Sequence, residues 1–394
     1  MKKVYFDHSA TTPVHPIVAE EIIPYITGKF GNPSSVHFLG REVRKAVEAA
    51  REKIAQGIGA KPEEIVFTSG GTESDNMAIK GAAYANCRKG NHIITSAVEH
   101  HAVLDTCEAL KEEGFTLTVL PVDKYGMVSL AAVAEAIKEQ TIVISIMHTN
   151  NEVGTIQPVY DIGRLAREKG ILFHTDAVQS MGKIPVHVDD LEADLLTISG
   201  HKFYAPKGIG VLYIRQGSNW QPVSHGGSQE RRQRPGTENV SGIIALGKAM
   251  ELVVSELEEE SQRLARLRDK IIQGVLERIP HVHVNGHPIK RLPNLVNLTI
   301  EFVEGESLLF SLDMKGIAAS SGSACTSDST DPSHVLLSMG ISPQNAQGSL
   351  RLSLGRDNND EDVEYFLDVL APIIDRLRAM SPFFQQNMIR LRLD

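Results

Sequence analysis

At 394 residues the chain exceeds what a single hydrophobic core usually serves, so a large folding unit accompanied by a smaller one is expected. Apolar residues make up 42% and charged residues 23%, a globular composition that excludes a disordered or fibrous chain. A formal net charge of -9 offers no general basic field for phosphate backbones and argues against a nucleic-acid partner.

The amino terminus runs Met1-Lys2-Lys3-Val4-Tyr5-Phe6-Asp7 without the apolar stretch a secretory signal requires, and no apolar run reaches bilayer length, so neither export nor membrane association is expected. Three scattered cysteines, Cys87, Cys107 and Cys325, are too few for a disulfide framework and fit a reducing, cytoplasmic setting. From about residue 60 to 215, short apolar runs alternate with stretches of helical period, the pattern of an α/β unit with a mainly parallel sheet. Strands are expected at 64–67, 92–95, 141–147, 171–174, 195–198 and 210–214; most are rich in Ile, Val and Leu without polar alternation, as strands covered on both faces are. Helices at 72–84, 101–113, 130–138 and 160–168 fill the gaps. The segment 248–279 then carries Leu252, Val253, Leu257, Leu264, Leu267, Ile271 and Val275 near helical spacing and reads as one long amphipathic helix. Beyond Pro280, strands at 281–284, 294–302 and 350–354 and helices at 306–314 and 360–380 make a second, α+β layer. The expected division gives 13–247 to the large unit, and 1–12 with 248–394 to the small unit that carries Cys325.

Ligands of open parallel sheets bind beyond the carboxyl ends of the strands, where helix N-termini point inward. Those ends carry, in order, Ser69-Gly70-Gly71-Thr72, Glu99-His100-His101, His148-Thr149-Asn150-Asn151-Glu152, Asp176 with Gln179, and Ser199-Gly200-His201-Lys202. Ser69 to Thr72 open a helix, so their free N–H groups and the helix dipole suit an anion such as phosphate. The segment matches neither the P-loop nor the dinucleotide fingerprint, and a capping box between Thr72 and Asp75 explains it equally well. Asp176 alone reads as a solvated turn acid, and Lys202 alone as a surface lysine. An acid at one strand end and a lysine at the next suit a pyridinium and a Schiff base. Cys325 lies in Ser320-Ser321-Gly322-Ser323-Ala324-Cys325-Thr326-Ser327-Asp328, a stretch too small and polar to bury a thiol, whereas Cys87 and Cys107 fall in helical patterns and read as packed core residues.

Taken in order, the segments Phe6-Asp7-His8-Ser9-Ala10-Thr11-Thr12-Pro13, Gly31-Asn32-Pro33-Ser34-Ser35, Thr68-Ser69-Gly70-Gly71-Thr72-Glu73-Ser74, Glu99-His100, His174-Thr175-Asp176-Ala177-Val178-Gln179, Ser199-Gly200-His201-Lys202 and Ser320 to Ser327 resemble the NifS/IscS-type cysteine desulfurases, over nearly the whole chain. The resemblance implies the aminotransferase-like fold type I of pyridoxal 5'-phosphate enzymes: a large domain with a mainly parallel sheet flanked by helices plus a smaller α+β domain, working as a homodimer. It implies a sulfurtransferase that removes sulfur from L-cysteine, giving L-alanine and a persulfide on Cys325 for an acceptor such as an IscU/NifU-like iron–sulfur scaffold.

By motif position, the resemblance makes Lys202 the Schiff-base lysine and proton shuttle, Asp176 the partner of the pyridine nitrogen, Gln179 a contact of the ring hydroxyl, and His100 the ring-stacking acid/base. Gly71, Thr72, Ser199 and His201 hold the phosphate, joined from the partner subunit by Thr237 of Arg234-Pro235-Gly236-Thr237. Arg351 clamps the substrate carboxylate with help from Asn151 and Asn32, Asn151 also lying against the cofactor. No resident metal is implied, although Cys325 could serve as a transient iron–sulfur ligand. The sequence departs from the commonest patterns at His8-Ser9, at Gly71 where many relatives have Ala, and in the basic run Arg231-Arg232-Gln233-Arg234-Pro235. The rival readings are a selenocysteine lyase, an aminotransferase, which needs no reactive cysteine, and a non-catalytic assembly platform, which needs none of Lys202, Asp176, His100 and Cys325 together.

Overall fold

A computed structural model describes residues 2–321, 332–381 and 384. Cys325 and most of its Ser/Gly-rich surroundings lie outside the described residues. The principal sheet has seven strands, in the spatial order Ile65–Thr68, Gly210–Ile214, Leu195–Ser199, Leu172–Asp176, Thr141–Ser145, His92–Ser96 and Thr116–Leu120. Gly210–Ile214 pairs antiparallel with both of its neighbours, while the remaining pairs are parallel, so six of the seven strands point the same way. Alternate residues supply two cores: Ile65, Phe67, Ile144 and Phe173 face one apolar cluster, and Val66, Val143, Leu195 and Leu212 the other. This is why the strands read as unbroken apolar runs.

The expected strands form, with ends shifted by a few residues, and the helices appear as Gly71–Asn86, His101–Glu112, Leu130–Ala136 and Val159–Lys169. The edge strand Thr116–Leu120 was not foreseen, because its half-exposed Thr-Leu-Thr-Val-Leu run lacks the buried apolar signature of its neighbours. The expected continuous helix over 248–279 is instead two helices, Val240–Ser255 and Leu257–Arg278, broken at Glu256. The first buries Ile243, Leu246, Ala249, Met250 and Val253 against the large sheet, whereas Leu264, Leu267, Ile271 and Val275 of the second join a separate cluster. One straight helix cannot aim a single apolar stripe at both.

That separate cluster lies on a three-stranded antiparallel sheet, ordered Ser349–Ser353, Leu295–Ile300 and Val282–Asn285, and on the helix Asp360–Met380. The chain start belongs to it: Val4 and Phe6 are buried there, and Val4–Tyr5 pairs in parallel with Ile317–Ala318. Two cysteines are described. Cys107 is buried as expected, but Cys87 follows the last residue of its helix and is exposed, because at a C-terminal cap the apolar periodicity has already ended.

The basic run 231–235 is tied down by a buried ion pair. The Arg51 guanidinium donates from Nη1 to Glu230 Oε2 at 2.8 Å and from Nη2 to Oε1 at 2.7 Å, and the Phe67 N–H donates to the same carboxylate at 2.9 Å. Glu230, Arg231 and Arg232 all hold positive φ, of 43°, 56° and 68°, a strained conformation for side-chain-bearing residues that these contacts sustain. Arg231 in turn donates to the carbonyls of Glu63 and Ile65. Removing one partner should therefore be costly: Glu230→Ala leaves the buried Arg51 guanidinium with only the half-exposed Glu48 as a counter-charge and should lower unfolding free energy by about 3–5 kcal/mol in urea titration, with the double variant Arg51→Met/Glu230→Ala recovering part of the loss.

Candidate active site

The parallel strands end on one side of the sheet, and their last residues supply the site. Asp176 ends the strand Leu172–Asp176, Ser199 ends Leu195–Ser199, and Lys202 sits in the single 3-10 turn that follows, Gly200–Lys202. These residues meet in a cavity of about 220 Å³ whose walls also include Ser9, Gly71, Thr72, Asp75, His100, Met147, Asn151, Val178, Gln179 and His201. Nine of the residues singled out in the sequence thus share one cavity: Lys202, Asp176, Gln179, His100, Gly71, Thr72, Ser199, His201 and Asn151.

Lys202 Nζ donates to the backbone carbonyls of Ser9 at 2.6 Å and Ala10 at 2.8 Å. Gln179 Nε2 donates to the same Ser9 carbonyl at 3.0 Å, while its Oε1 is buried with no partner among the described residues. Asp176 Oδ1 accepts the Val178 N–H at 2.8 Å. Burial pushes the Asp176 carboxyl above its ordinary range, against the lowering effects of that N–H and of the Lys202 charge. His100 caps the helix His101–Glu112, its Nδ1 accepting the Ala102 N–H at 3.1 Å, which leaves the proton on Nε2. Burial, and then the Lys202 charge, push its imidazole down to about 4. His201 Nδ1 lies 3.1 Å from Thr11 Oγ1 and is likewise pushed down to about 4 by burial, so both rings are neutral near pH 7.

Gly71 of the glycine pair lines the cavity. Gly70 has φ 155°, which an L side chain rarely adopts, and a Cβ on Gly71 would meet Val178 Cγ2 at 3.1 Å and Ser199 Cβ at 3.5 Å. The expected capping box is absent: Gly70 caps the helix Gly71–Asn86 with no side-chain bond, and the Ser69 N–H donates to Glu73 at 2.6 Å. Thr72 is exposed at the helix start, and Asp75 faces inward because the helix turns its fourth and fifth residues toward the sheet, where Ser74 and Asp75 are buried.

Three of the described expected residues lie elsewhere. Arg351, on the strand Ser349–Ser353, is 1% exposed; it donates to Asp7 Oδ1 at 3.0 Å and to the carbonyl of Asn151 at 3.2 Å, and its Nε is buried with no partner among the described residues. It therefore touches the cavity wall through Asn151. Asn32 and Thr237 are exposed and do not line this cavity, and Cys325 lies outside the described residues. The sequence reading also missed residues that matter here. Ser9 acts through its backbone carbonyl, for which side-chain chemistry gives no signal. Lys183, buried and donating to the Lys202 carbonyl at 3.2 Å, and Asp75 were legible only as polar residues in largely buried segments. Arg234 pairs with Glu73 at 2.8 Å, so the basic run reaches back to the first turn of the Gly71–Asn86 helix.

The chain matches the class V aminotransferase family over residues 4–366. It is 56% identical over 381 residues to cysteine desulfurase IscS of Methanosarcina thermophila, covering 97% of this chain and 94% of that protein. Among solved structures, a NifS-like protein superposes with a TM-score of 0.89 at 40% identity, covering 95% of this chain and all of that one. SspA in complex with cysteine superposes with a TM-score of 0.80 at 39% identity, covering 89% of this chain and 99% of that one. The chain belongs to the class V aminotransferases and, within them, to the NifS/IscS group of cysteine desulfurases. The expected fold, a mostly parallel sheet between helices, is the one observed.

The neutral state of His100 is open to direct measurement. In the apoprotein its ring resonances should keep one chemical shift between about pH 5.5 and 8, because the imidazole takes up its proton only near pH 4. An inflection near the ordinary histidine value would show the ring to be solvated.

Proposed function

We propose that this chain takes the sulfur of L-cysteine onto Cys325, releasing L-alanine, with pyridoxal 5'-phosphate held on Lys202. The observation that carries the reading is the meeting of Lys202, Asp176 and a neutral His100 in one cavity at the ends of the parallel strands. The cavity's chemistry fits the cofactor end for end. A helix N-terminus, the Ser199 hydroxyl and His201 offer donors to a phosphate, a close-packed Gly71 leaves the backbone exposed to it, and a buried carboxylate suits a protonated ring nitrogen. The buried Gln179 Oε1, which has no partner among the described residues, is a further polar atom open to a ligand.

When bound, the cofactor supplies an electron sink for bonds broken at the substrate carbons. The residues supply the rest. Asp176 as an anion would hold a protonated ring nitrogen. Lys202 would hold the cofactor, and its amine would be the base placed to move a proton at the substrate Cα. His100, with its proton on Nε2, can donate to the substrate without carrying charge into the cavity. Arg351 would bind the substrate carboxylate by exchanging its contact with Asp7, a pairing that keeps the buried guanidinium compensated beforehand. The Cys325 thiolate attacks the substrate sulfur: an S–S bond forms, the Cβ–S bond breaks, and its electron pair stays on the carbon skeleton, which takes up protons and leaves as alanine.

The same reading takes the protein as a cytoplasmic homodimer, with Thr237 completing the partner's phosphate site, and an IscU/NifU-like scaffold as sulfur acceptor. The exposed position of Thr237, away from the cavity of its own chain, supports the shared site. No helix among the described residues is long and apolar enough to cross a membrane. We also place the division between the two units at Glu256, where the apolar stripe changes partners, with the chain start on the small unit.

Borohydride reduction of the cofactor-loaded protein, followed by peptide mapping, should put the label on Lys202, and Lys202→Ala should abolish alanine formation. Brief exposure to L-cysteine should add one thiol-removable sulfur to the Cys325 peptide, and Cys325→Ala should bind cofactor normally while alanine release falls to background. Sulfur found on Cys87 or Cys107 would overturn the assignment. Sedimentation of the holoenzyme at low micromolar concentration should give only dimer; a fully active monomer would exclude the shared phosphate site.

A further inference from the structure

Beneath the cavity lies a carboxyl group for which the reaction has no assigned use. Asp75 is 1% exposed, lines the same cavity as Asp176 and Lys202, and its Oδ1 has no hydrogen-bond partner among the described residues. That oxygen stands 3.5 Å from His174 Nε2. His174 is itself fully buried, bonded through Nδ1 to Ser145 Oγ at 2.8 Å and through Nε2 to Thr197 Oγ1 at 3.1 Å, and burial holds its imidazole down near 3, so it brings no positive charge. The other titratable groups facing Asp75 are Asp176, Glu99 and Cys107. Glu99 is buried, bonded to Ser96 Oγ and the Met147 N–H, and pushed up to about 8, while burial pushes the Cys107 thiol up to about 12. Among the described residues, the Thr197 hydroxyl is the one group that favours the Asp75 anion.

Two carboxyl groups in one desolvated space cannot both ionise cheaply, and the proton settles on the one with fewer compensating groups. Asp176 has the Val178 N–H and the Lys202 cation; Asp75 has a single hydroxyl and a neutral ring. We propose that Asp75 is a positioning residue for Asp176: a permanently neutral carboxyl that presents a hydrogen-bond donor to the floor of the cavity, so that Asp176 alone carries the negative charge facing the cofactor ring. The arrangement spares the site a second buried anion beside Asp176. Burial and the Asp176 charge, which both raise the Asp75 carboxyl well above its ordinary range, act in the same direction.

The inference rests on the cofactor reading above, and the test keeps the two apart. Apoprotein of the wild type, Asp75→Asn and Asp75→Leu is titrated with pyridoxal 5'-phosphate, following the visible band, and infrared spectra of the three apoproteins are recorded at neutral pH. Asn keeps a neutral donor and Leu keeps only the volume, so Asp75→Asn should bind within about threefold of wild type and Asp75→Leu at least about tenfold more weakly. The wild-type minus Asp75→Asn infrared difference should contain a protonated-carboxyl band. If Asp75→Asn is as weak as Asp75→Leu, the charge rather than the donor acts and the proposal is wrong; the same holds if Asp75→Leu binds like wild type. A carboxylate band in place of the protonated one overturns it independently, even should Asp75→Leu fail to fold. Wild-type protein that gives no visible band with the cofactor would instead sink the cofactor reading itself.

Discussion

The site depends on a lysine whose amino group is held by the far end of its own chain. Lys202 donates to the carbonyls of Ser9 and Ala10, more than 190 residues away in sequence, and the surrounding bonds stitch the same segment into place. Thr12 donates its hydroxyl and backbone N–H to the His201 carbonyl, the Ser9 N–H donates to Ser353 Oγ, and Asp7 meets Arg351. Residues 7 to 12 therefore form a wall shared by the large sheet, through Lys202 and His201, and the smaller one, through Ser353 and Arg351. Because the bonds to Lys202 use backbone carbonyls, the lysine can leave them for a covalent partner without stranding a buried side-chain charge.

Desolvation sets the protonation states throughout. His8, His100, His148 and His201 are all pushed down to about 4 chiefly by burial, while Glu99 and Glu152 are pushed up to about 8 and 7 by the same cause. The result is a site built mainly of neutral donors and acceptors, in which the few charges that remain, on Asp176, Lys202 and Arg351, act through a medium that screens them weakly. A site of this kind discriminates by where charge is allowed to stand. Glu152 extends the wall outward: its carboxyl is bonded to Ser333, which caps the short helix His334–Ser338, so the wall beside Asn151 and that helix are joined by a buried hydrogen bond.

The loop bearing Thr237 is held in the opposite manner, by charge. Arg51 and Glu230 form a buried bidentate pair, and Arg234 and Glu73 a second, half-buried one. Glu73 also takes the Ser69 N–H, so the first turn of the helix Gly71–Asn86 and the loop bearing Thr237 share one carboxylate. Under the dimer reading, the loop that completes the partner's site is thereby fastened to the anion cradle of its own.

Much of this was legible in the sequence, for identifiable reasons. Strands buried on both faces advertise themselves as apolar runs, and parallel strands place their polar termini on one side, so Ser199, Asp176, His100 and Lys202 could be gathered before any coordinates. The resemblance added roles that spacing alone left open. The chain read by itself did not separate two helices at Glu256, because the apolar stripe keeps its period across the break and only the identity of the core it faces changes. Nor could it place Ser9, whose contribution is a carbonyl, or Asp75, which looked like a capping residue until the helix rotation turned it inward. Arg351 shows the same limit: its type announced a carboxylate partner, but that Asp7 holds it depends on a contact across 344 residues. Sequence determined which chemical groups stand at the strand ends; tertiary structure decided which of them lose water and which neighbours compensate, and so which are charged, because both depend on segments brought together only when the two sheets close over the amino-terminal strand.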